Sequence, residues 1–262
     1  MMPARSGRIS NVSDTTDITI AGCRTLLRRA GSGAPLLYLH AEHGGGWPPL
    51  LQHLAQRFDV IAPDLPGFGG TETPDWLDNI HDLALFTLEL LEALDLRHVA
   101  LVGSALGGWV AAEAALRDRT RLSRLALLNP MGIQVKGLNA ADPFLATPEE
   151  TVAANFHNAP QPTDEADLDT QLKNRHAYAR MAWAPRLHDP HLAKWLHRLR
   201  LPTLILSGAE DRVVPAANGA AFAAAIPGAR HVVLPACAHL AELDAPQAVL
   251  AALDPFLTEP TP

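Results

Sequence analysis

The sequence predicts an α/β fold, a mostly parallel central sheet flanked by helices, with a helical segment inserted into it. Three observations carry this. Short runs rich in leucine and valine alternate with helical patterns along most of the chain. One strand-to-helix junction, Gly103-Ser104-Ala105-Leu106-Gly107, has small residues where two backbones must pass close. The alternation lapses between 134 and 198, where helical patterns follow one another with no strand between them.

The strands come in order. APLLYLH (34–40) ends at a glycine-rich loop, and DVIAPDLPGFGG (59–70) is stopped by Pro66 and Gly67. HVALVG (98–103), LSRLALLNP (122–130), PTLILSG (202–208) and HVVLPA (231–236) follow. Runs of this length, bounded by turn residues, read as strands buried on both faces. Between them, Ile80, Leu83, Ala84, Leu90, Leu91 and Leu94 fall on one face of a helix. GGWVAAEAALRD is alanine-rich and small-faced, and APQAVLAALDPFL closes the alternation. In such sheets ligands bind beyond the carboxyl ends of the strands. In the inserted stretch, Thr147 and Glu150 form a capping box before TPEETVAANF turns helical. LDTQLKNRHAYARMAW and DPHLAKWLHRL are further short helices. The expected organisation is a core of 1–133 and 199–262, with 134–198 as a helical lid over the strand ends.

Composition narrows the function. The 262 residues, 48% of them hydrophobic, suffice for one large domain. The net charge of −7 and the lack of a basic cluster argue against nucleic acid. Cys23 and Cys237 alone make no disulfide framework, which fits a reducing, cytoplasmic setting. MMPARSGRIS has no apolar core of a signal peptide, and no apolar run is long enough to span a membrane. The tail TEPTP is expected to fray. No metal-ligand spacing stands out, and the oligomeric state is left open.

The junction at 103–107 nearly spells the Gly-x-Ser-x-Gly nucleophile elbow, with its serine one place early. The elbow residue needs small neighbours two places away on either side. Around Ala105 these are Gly103 and Gly107; around Ser104 they would be Val102 and Leu106. A shift of one residue also turns a strand side chain to the opposite face. Ala105 therefore holds the nucleophile position, and Ser104 points away from it.

Together, LVGSALGGW, LYLHAEHGGGW, APDLPGFGGTE, SGAEDRVVP and ACAHLAELDAP resemble the α/β-hydrolase superfamily from about residue 34 to residue 257. The resemblance implies the chain order nucleophile, acid, histidine, which falls on Ala105, Asp211 and His239. Asp211, not the adjacent Glu210, fits the Gly-x-x-Asp pattern, and the alternative acid position holds Asn129. His239 follows Ala238 where the family usually has glycine. The oxyanion loop falls on His40, Ala41 and Glu42, and its donors are expected to be the N–H groups of Leu106 and of Glu42, with Ala41 the adjacent choice. Glu42 is an unusual neighbour for a developing oxyanion unless its carboxylate turns away, is paired, or grips a cationic or hydroxyl group of the ligand. Asp64 and Gly67 to Gly70 read as structural, and Cys237 as a packed apolar residue. In the lid, Phe144, Phe156, Met181 and Trp183 are candidates to line an apolar pocket.

The implied activity is hydrolysis of a carboxylic ester or lactone, without cofactor, on a small-molecule substrate. With alanine at 105 the covalent path is closed, so the expectation is an inactive form in which the serine was replaced by engineering to hold intact substrate. The alternatives are a natural non-catalytic ligand-binding relative, a His–Asp dyad enzyme resembling cofactor-free dioxygenases, and a hydrolase of carbon–carbon bonds. An aspartate nucleophile is disfavoured, because Leu106-Gly107-Gly108 is the serine-type continuation.

Overall fold

The structure is a computed structural model that describes residues 14–138, 140–158 and 168–260. Both the expected absence of a signal peptide, read at 1–10, and the last two residues of the tail lie outside these residues. Eight strands form one sheet in the order β1-β2-β4-β3-β5-β6-β7-β8. They are β1 (Asp14–Ile20), β2 (Cys23–Ala30), β3 (Ala34–Leu39), β4 (Phe58–Pro63), β5 (Val99–Ser104), β6 (Leu122–Leu128), β7 (Thr203–Gly208) and β8 (Arg230–Leu234). From β4 to β8 all neighbours are parallel, whereas β1 and β2 are antiparallel to each other and β2 is antiparallel to β4.

The helices are α1 (Pro49–Leu54), α2 (Ile80–Ala93), α3 (Leu106–Arg117), α4 (Pro148–Asn155), α5 (Leu168–Ala182), α6 (Leu192–Trp195), α7 (Ala216–Ala225), α8 (Ala241–Asp244) and α9 (Pro246–Thr258). They cover both faces of the sheet. One buried cluster joins Leu37, Leu39, Leu101 and Leu127 to α2 and α3. The other joins Leu36, Tyr38, Val102 and Leu128 to α1 and α9. Alternate residues of β3 and β5 thus serve opposite cores, as the period of two requires. The central strands β5 and β7 are buried throughout, which is why they read as unbroken apolar runs.

The six predicted strands and three predicted core helices are present, and the structure adds the β1–β2 hairpin. That hairpin has no apolar run to reveal it. Most of β1 is exposed, and β2 buries only alternate residues at its start, Cys23, Thr25 and Leu27. Ala21 and Gly22, both at positive φ, make the two-residue turn. Helix α7, AANGAAFAAA, likewise has no sequence signal, because near-uniform alanine gives no apolar stripe.

Between β6 and β7 the described residues contain α4, α5 and α6 and no strand of the sheet. Thr147 and Glu150 make the reciprocal capping box expected at the start of α4. Several ties hold this segment to the core, among them Ala141 N–H to Arg212 O at 2.6 Å and Arg180 to Asp78 at 3.0 Å. Asn174 of α5 donates to His43 O at 2.7 Å and accepts from Gly69 N at 2.8 Å. Lys173 donates to Gly69 O and Thr71 O. At the end of α4, Asn155 O accepts from Leu240 N at 3.1 Å.

Candidate active site

The site is assembled from four strand ends on one edge of the sheet. Ala105 sits between β5 and α3 at φ 46°, ψ −108°, a backbone that costs an L-residue of order 1–3 kcal/mol. The strain is held in place from both sides. Ala105 N donates to Leu128 O at 2.8 Å, and its carbonyl accepts from Met131 N at 3.1 Å. The flanking glycines are sterically required. A Cβ on Gly103 would collide with Gly107 O, and one on Gly107 with the carbonyl oxygens of Leu39 and His40. Ser104 points to the opposite face, where its hydroxyl donates to Glu242 Oε2 at 2.7 Å in a fully buried pair. The residue at this strained strand-to-helix junction therefore carries only a methyl group.

Asp211 follows β7 and His239 follows β8. Asp211 Oδ2 accepts from His239 Nδ1 at 2.8 Å, while its Oδ1 accepts from Val213 N and Val214 N at 2.9 and 2.7 Å. The acid is thereby fixed in orientation, and the hydrogen bond puts a proton on Nδ1. Glu210 turns outward to His157, 2.6 Å away. Burial pushes the Cys237 thiol up to about 12, in keeping with a packed apolar role.

Glu42 is paired. Its Oε1 stands 3.4 Å from His239 Nε2, although the angle does not make a hydrogen bond. His239 is fully buried between two carboxylates. Burial alone would lower its pKa, but Asp211 and then Glu42 outweigh that and hold it well above 6.5. Burial likewise opposes ionisation of Glu42, yet the imidazolium keeps its carboxyl below 4.5. The pair therefore rests as imidazolium and carboxylate.

This pairing gives stability a pH dependence. A raised histidine pKa contributes stability that is complete below 6.5 and is lost as pH rises through the folded value. A lowered glutamate pKa contributes stability that is complete above 4.5 and is lost as pH falls through the folded value. The joint contribution is greatest between these limits. In thermal melts across pH, Glu42→Gln is expected to move the alkaline loss to lower pH. An alkaline limb unchanged in Glu42→Gln would show that the two groups do not interact.

The two expected oxyanion donors differ. Leu106 N–H is the first of α3 and has no acceptor within the helix. Glu42 N–H lies just beyond the end of β3, in the loop next to the fully buried Ala41. The Ala41 carbonyl accepts from Gly44 N at 3.1 Å. His40 braces this loop. Its Nε2 accepts from Leu65 N at 2.9 Å, its Nδ1 lies 2.7 Å from Ala41 O, and burial lowers its pKa to about 4. Asp64 pairs with Arg28 and accepts from Gly70 N, the structural role expected of it.

Two contributors escaped sequence reasoning. Asn129, noticed only as the absence of an acid, donates to Ala238 O and His239 O at 2.8 and 2.6 Å and accepts from Gly208 N at 2.7 Å. One side chain thus joins the elbow strand's neighbour to the acid strand and the histidine loop. Tyr178 of α5 is buried, and its hydroxyl has a weak acceptor, Met131 Sδ, at 3.8 Å. Burial raises its pKa, and the charges of Glu42, Asp142 and Asp211 add to the effect; its contact with Met131, whose N–H donates to Ala105 O, ties it to the β5–α3 junction. The spacing of Tyr178, Met181 and Ala182 on one face of α5 was the available signal.

The four aromatic and methionine candidates sit in different surroundings. Phe144 packs on Tyr178 and Trp183, with ring centroids 4.7 and 5.4 Å apart. Trp183 is 51% exposed and lies under the Arg186 guanidinium, so it packs within its own segment and faces solvent. Phe156 lines a surface cleft with Val152, His157 and Glu210. Met181 is buried beside Ala177 and Tyr178 in the core cluster. Among the described residues, His81, Glu113 and Asp189 bring metal-type ligand atoms within 4.8 Å of one another, but Arg117 already holds Glu113 at 2.5 Å.

Residues 36–253 match the family model described as the alpha/beta hydrolase family. The chain belongs to this family. Among its relatives is a 2-hydroxymuconate semialdehyde hydrolase of Pseudomonas putida, 30% identical over 93% of this chain and 94% of the relative. A protein of the same name from Pseudomonas sp. strain CF600 is 28% identical over 93% of both chains. Of solved alpha/beta hydrolase structures, a hydrolase from Pseudomonas aeruginosa PA01 superposes with TM-score 0.74 at 27% identity, over 94% of this chain and 99% of the other. A meta-cleavage product hydrolase from Pseudomonas fluorescens IP01, a serine-to-alanine mutant complexed with acetates, superposes with TM-score 0.75 at 23% identity, over 92% and 97%. No helix among the described residues is long and apolar enough to cross a membrane.

Proposed function

We propose that this alpha/beta hydrolase acts on a small dienol or keto carboxylate and hydrolyses the carbon–carbon bond beside its carbonyl group, by acid–base chemistry without an acyl-enzyme. The observation that carries this is the buried Asp211–His239 dyad, joined at 2.8 Å, in a chain whose strand-to-helix junction at 105 bears only a methyl. The relatives named as 2-hydroxymuconate semialdehyde hydrolases set the substrate class. Their substrate, as named, has an aldehyde and no ester, so its hydrolysis must break a carbon–carbon bond. That favours the carbon–carbon alternative over the ester and lactone reading.

The chemistry dictates the proton traffic. Cleavage leaves an electron pair on carbon, which is tolerable only if a 2-oxo group can draw it in, so the dienol must first become a ketone. That step puts a proton on carbon, and His239 rests as the acid able to give it. Having given it, the neutral imidazole is the base for water attacking the carbonyl, and Asp211 stabilises the cation that re-forms. Leu106 N–H, with the backbone at Glu42, receives the developing oxyanion, each such donor being worth ~3–4 kcal/mol.

The 134–198 segment acts in this reading as the lid. Ala105, Leu106 and His239 are fully buried, so substrate reaches them only when something moves. The segment's ties run to the loops that carry the site, through Asn174 to His43 and through Asn155 to Leu240. The expected result is that the protein consumes 2-hydroxy-6-oxohepta-2,4-dienoate, followed by loss of the dienol absorbance, and leaves p-nitrophenyl acetate almost untouched. Asp211→Asn is expected to slow this by ~10²–10⁴-fold. A protein that neither binds nor consumes the dienoate, or that prefers the ester, would overturn the reading.

A further inference from the structure

We propose that Glu42 is a second catalytic residue, the base that takes the proton from the substrate's enol hydroxyl while His239 delivers its own proton to carbon. This rests on the dienol reading above. The relevant feature is a pair of buried polar atoms left without a hydrogen bond. Glu42 Oε2 and His239 Nε2 are both shielded from solvent, and neither makes a hydrogen bond. The two side chains nevertheless stand 3.4 Å apart, Oε1 to Nε2. Buried polar atoms are ordinarily satisfied, and two such atoms on facing acid and base groups leave positions for a ligand hydroxyl that donates to the carboxylate.

The fold places Glu42 where this is useful. In the sheet β3 pairs with β5, Leu39 opposite Gly103. The third residue beyond Leu39 and the second beyond Gly103 are Glu42 and Ala105, so the carboxylate rises from the strand end beside the elbow. Where a serine hydroxyl would engage Nε2, this chain has a methyl on one strand and a carboxylate on the next. The resting charges suit the roles, with Glu42 ionised and His239 protonated.

The proton balance closes within the pair. The enol O–H bond breaks, its proton passes to Glu42, and the π electrons shift so that a C–H bond forms at C5 with the proton from Nε2. Nothing is oxidised or reduced. In simple tautomerisation the proton then crosses from Glu42 to Nε2, restoring both groups. When cleavage follows, water supplies the proton to Nε2, and Glu42 returns its own to the dienolate oxygen of the product.

The test uses 2-hydroxy-6-oxohepta-2,4-dienoate in deuterated buffer, with binding read by calorimetry and deuterium at C5 by NMR. The parent protein is expected to exchange C5 above the solvent blank. Glu42→Gln is expected to lose about 100-fold of that exchange while still binding. Glu42→Asp, which keeps the charge but withdraws it, should lose about tenfold, and it decides the matter if the glutamine variant does not fold. Exchange within about threefold of the parent in the folded glutamine variant, or undiminished in the aspartate variant, overturns the role of Glu42 and leaves the substrate reading standing. Failure of the parent to bind the dienoate overturns both.

Discussion

Ala105→Ser is expected to raise hydrolysis of short p-nitrophenyl esters by about 10³-fold, the scale on which triad members act. The backbone at 105 already has the strained elbow geometry, at φ 46° and ψ −108°, so the hydroxyl would be presented without rearrangement. Glu42 does not make an aligned hydrogen bond to Nε2, and the new oxygen can take that direction. The gain should come late in pH, because a serine needs neutral imidazole and the two carboxylates hold His239 well above 6.5. Adding Glu42→Gln removes one of them and should shift the esterase profile to lower pH, even as it removes the carbon exchange described above. The outcome is measured as kcat/KM against pH for both variants. Adding Ser104→Ala to the serine variant should leave most of the activity, since Ser104 serves Glu242 on the other face. An esterase that followed Ser104, or one absent from a folded Ala105→Ser protein, would contradict the placement of the elbow.

Gly107→Ala is expected to be among the most damaging single methyls that can be added to this region. The new Cβ would meet two backbone carbonyl oxygens, those of Leu39 and His40, and neither can swing aside as a side chain could. Both belong to the strand end that carries the oxyanion loop, and β3 is held on each side by parallel neighbours. Relief would require α3 to lift from the sheet. A loss of about 3 kcal/mol follows from overpacking of this kind, or a melting point lower by about 6–12 °C. Chemical denaturation gives the value, and a variant as stable as the parent would show that the helix does not press on β3 as described.

The fold class, the six central strands and the tight strand-to-helix junction at 105 are legible in the sequence. These depend on local requirements, buried strands with apolar residues throughout and glycines where two backbones cross. The spacing of Gly103 and Gly107 about Ala105 has one steric solution, and the family's chain order then pointed to Asp211 and His239. What the sequence did not reveal depends on the meeting of distant loops. The β1–β2 hairpin is an edge with an exposed face and so has no apolar run. Asn129 reads in the sequence only as the lack of an acid, because its amide is joined to groups 79 and about 110 residues away. Trp183 reads as a pocket residue by its type, but the Arg186 cation over its ring and its exposure put it on the surface. Glu42 shows the limit most clearly. Its position beside the oxyanion loop was legible, and so was the oddity of its charge there. Whether that carboxylate turned away, lay in solvent or faced the histidine depended on side-chain direction at the end of β3, in a pocket closed by other segments. Only the tertiary structure sets it 3.4 Å from Nε2, where burial and the opposing charge make it a partner of the imidazole.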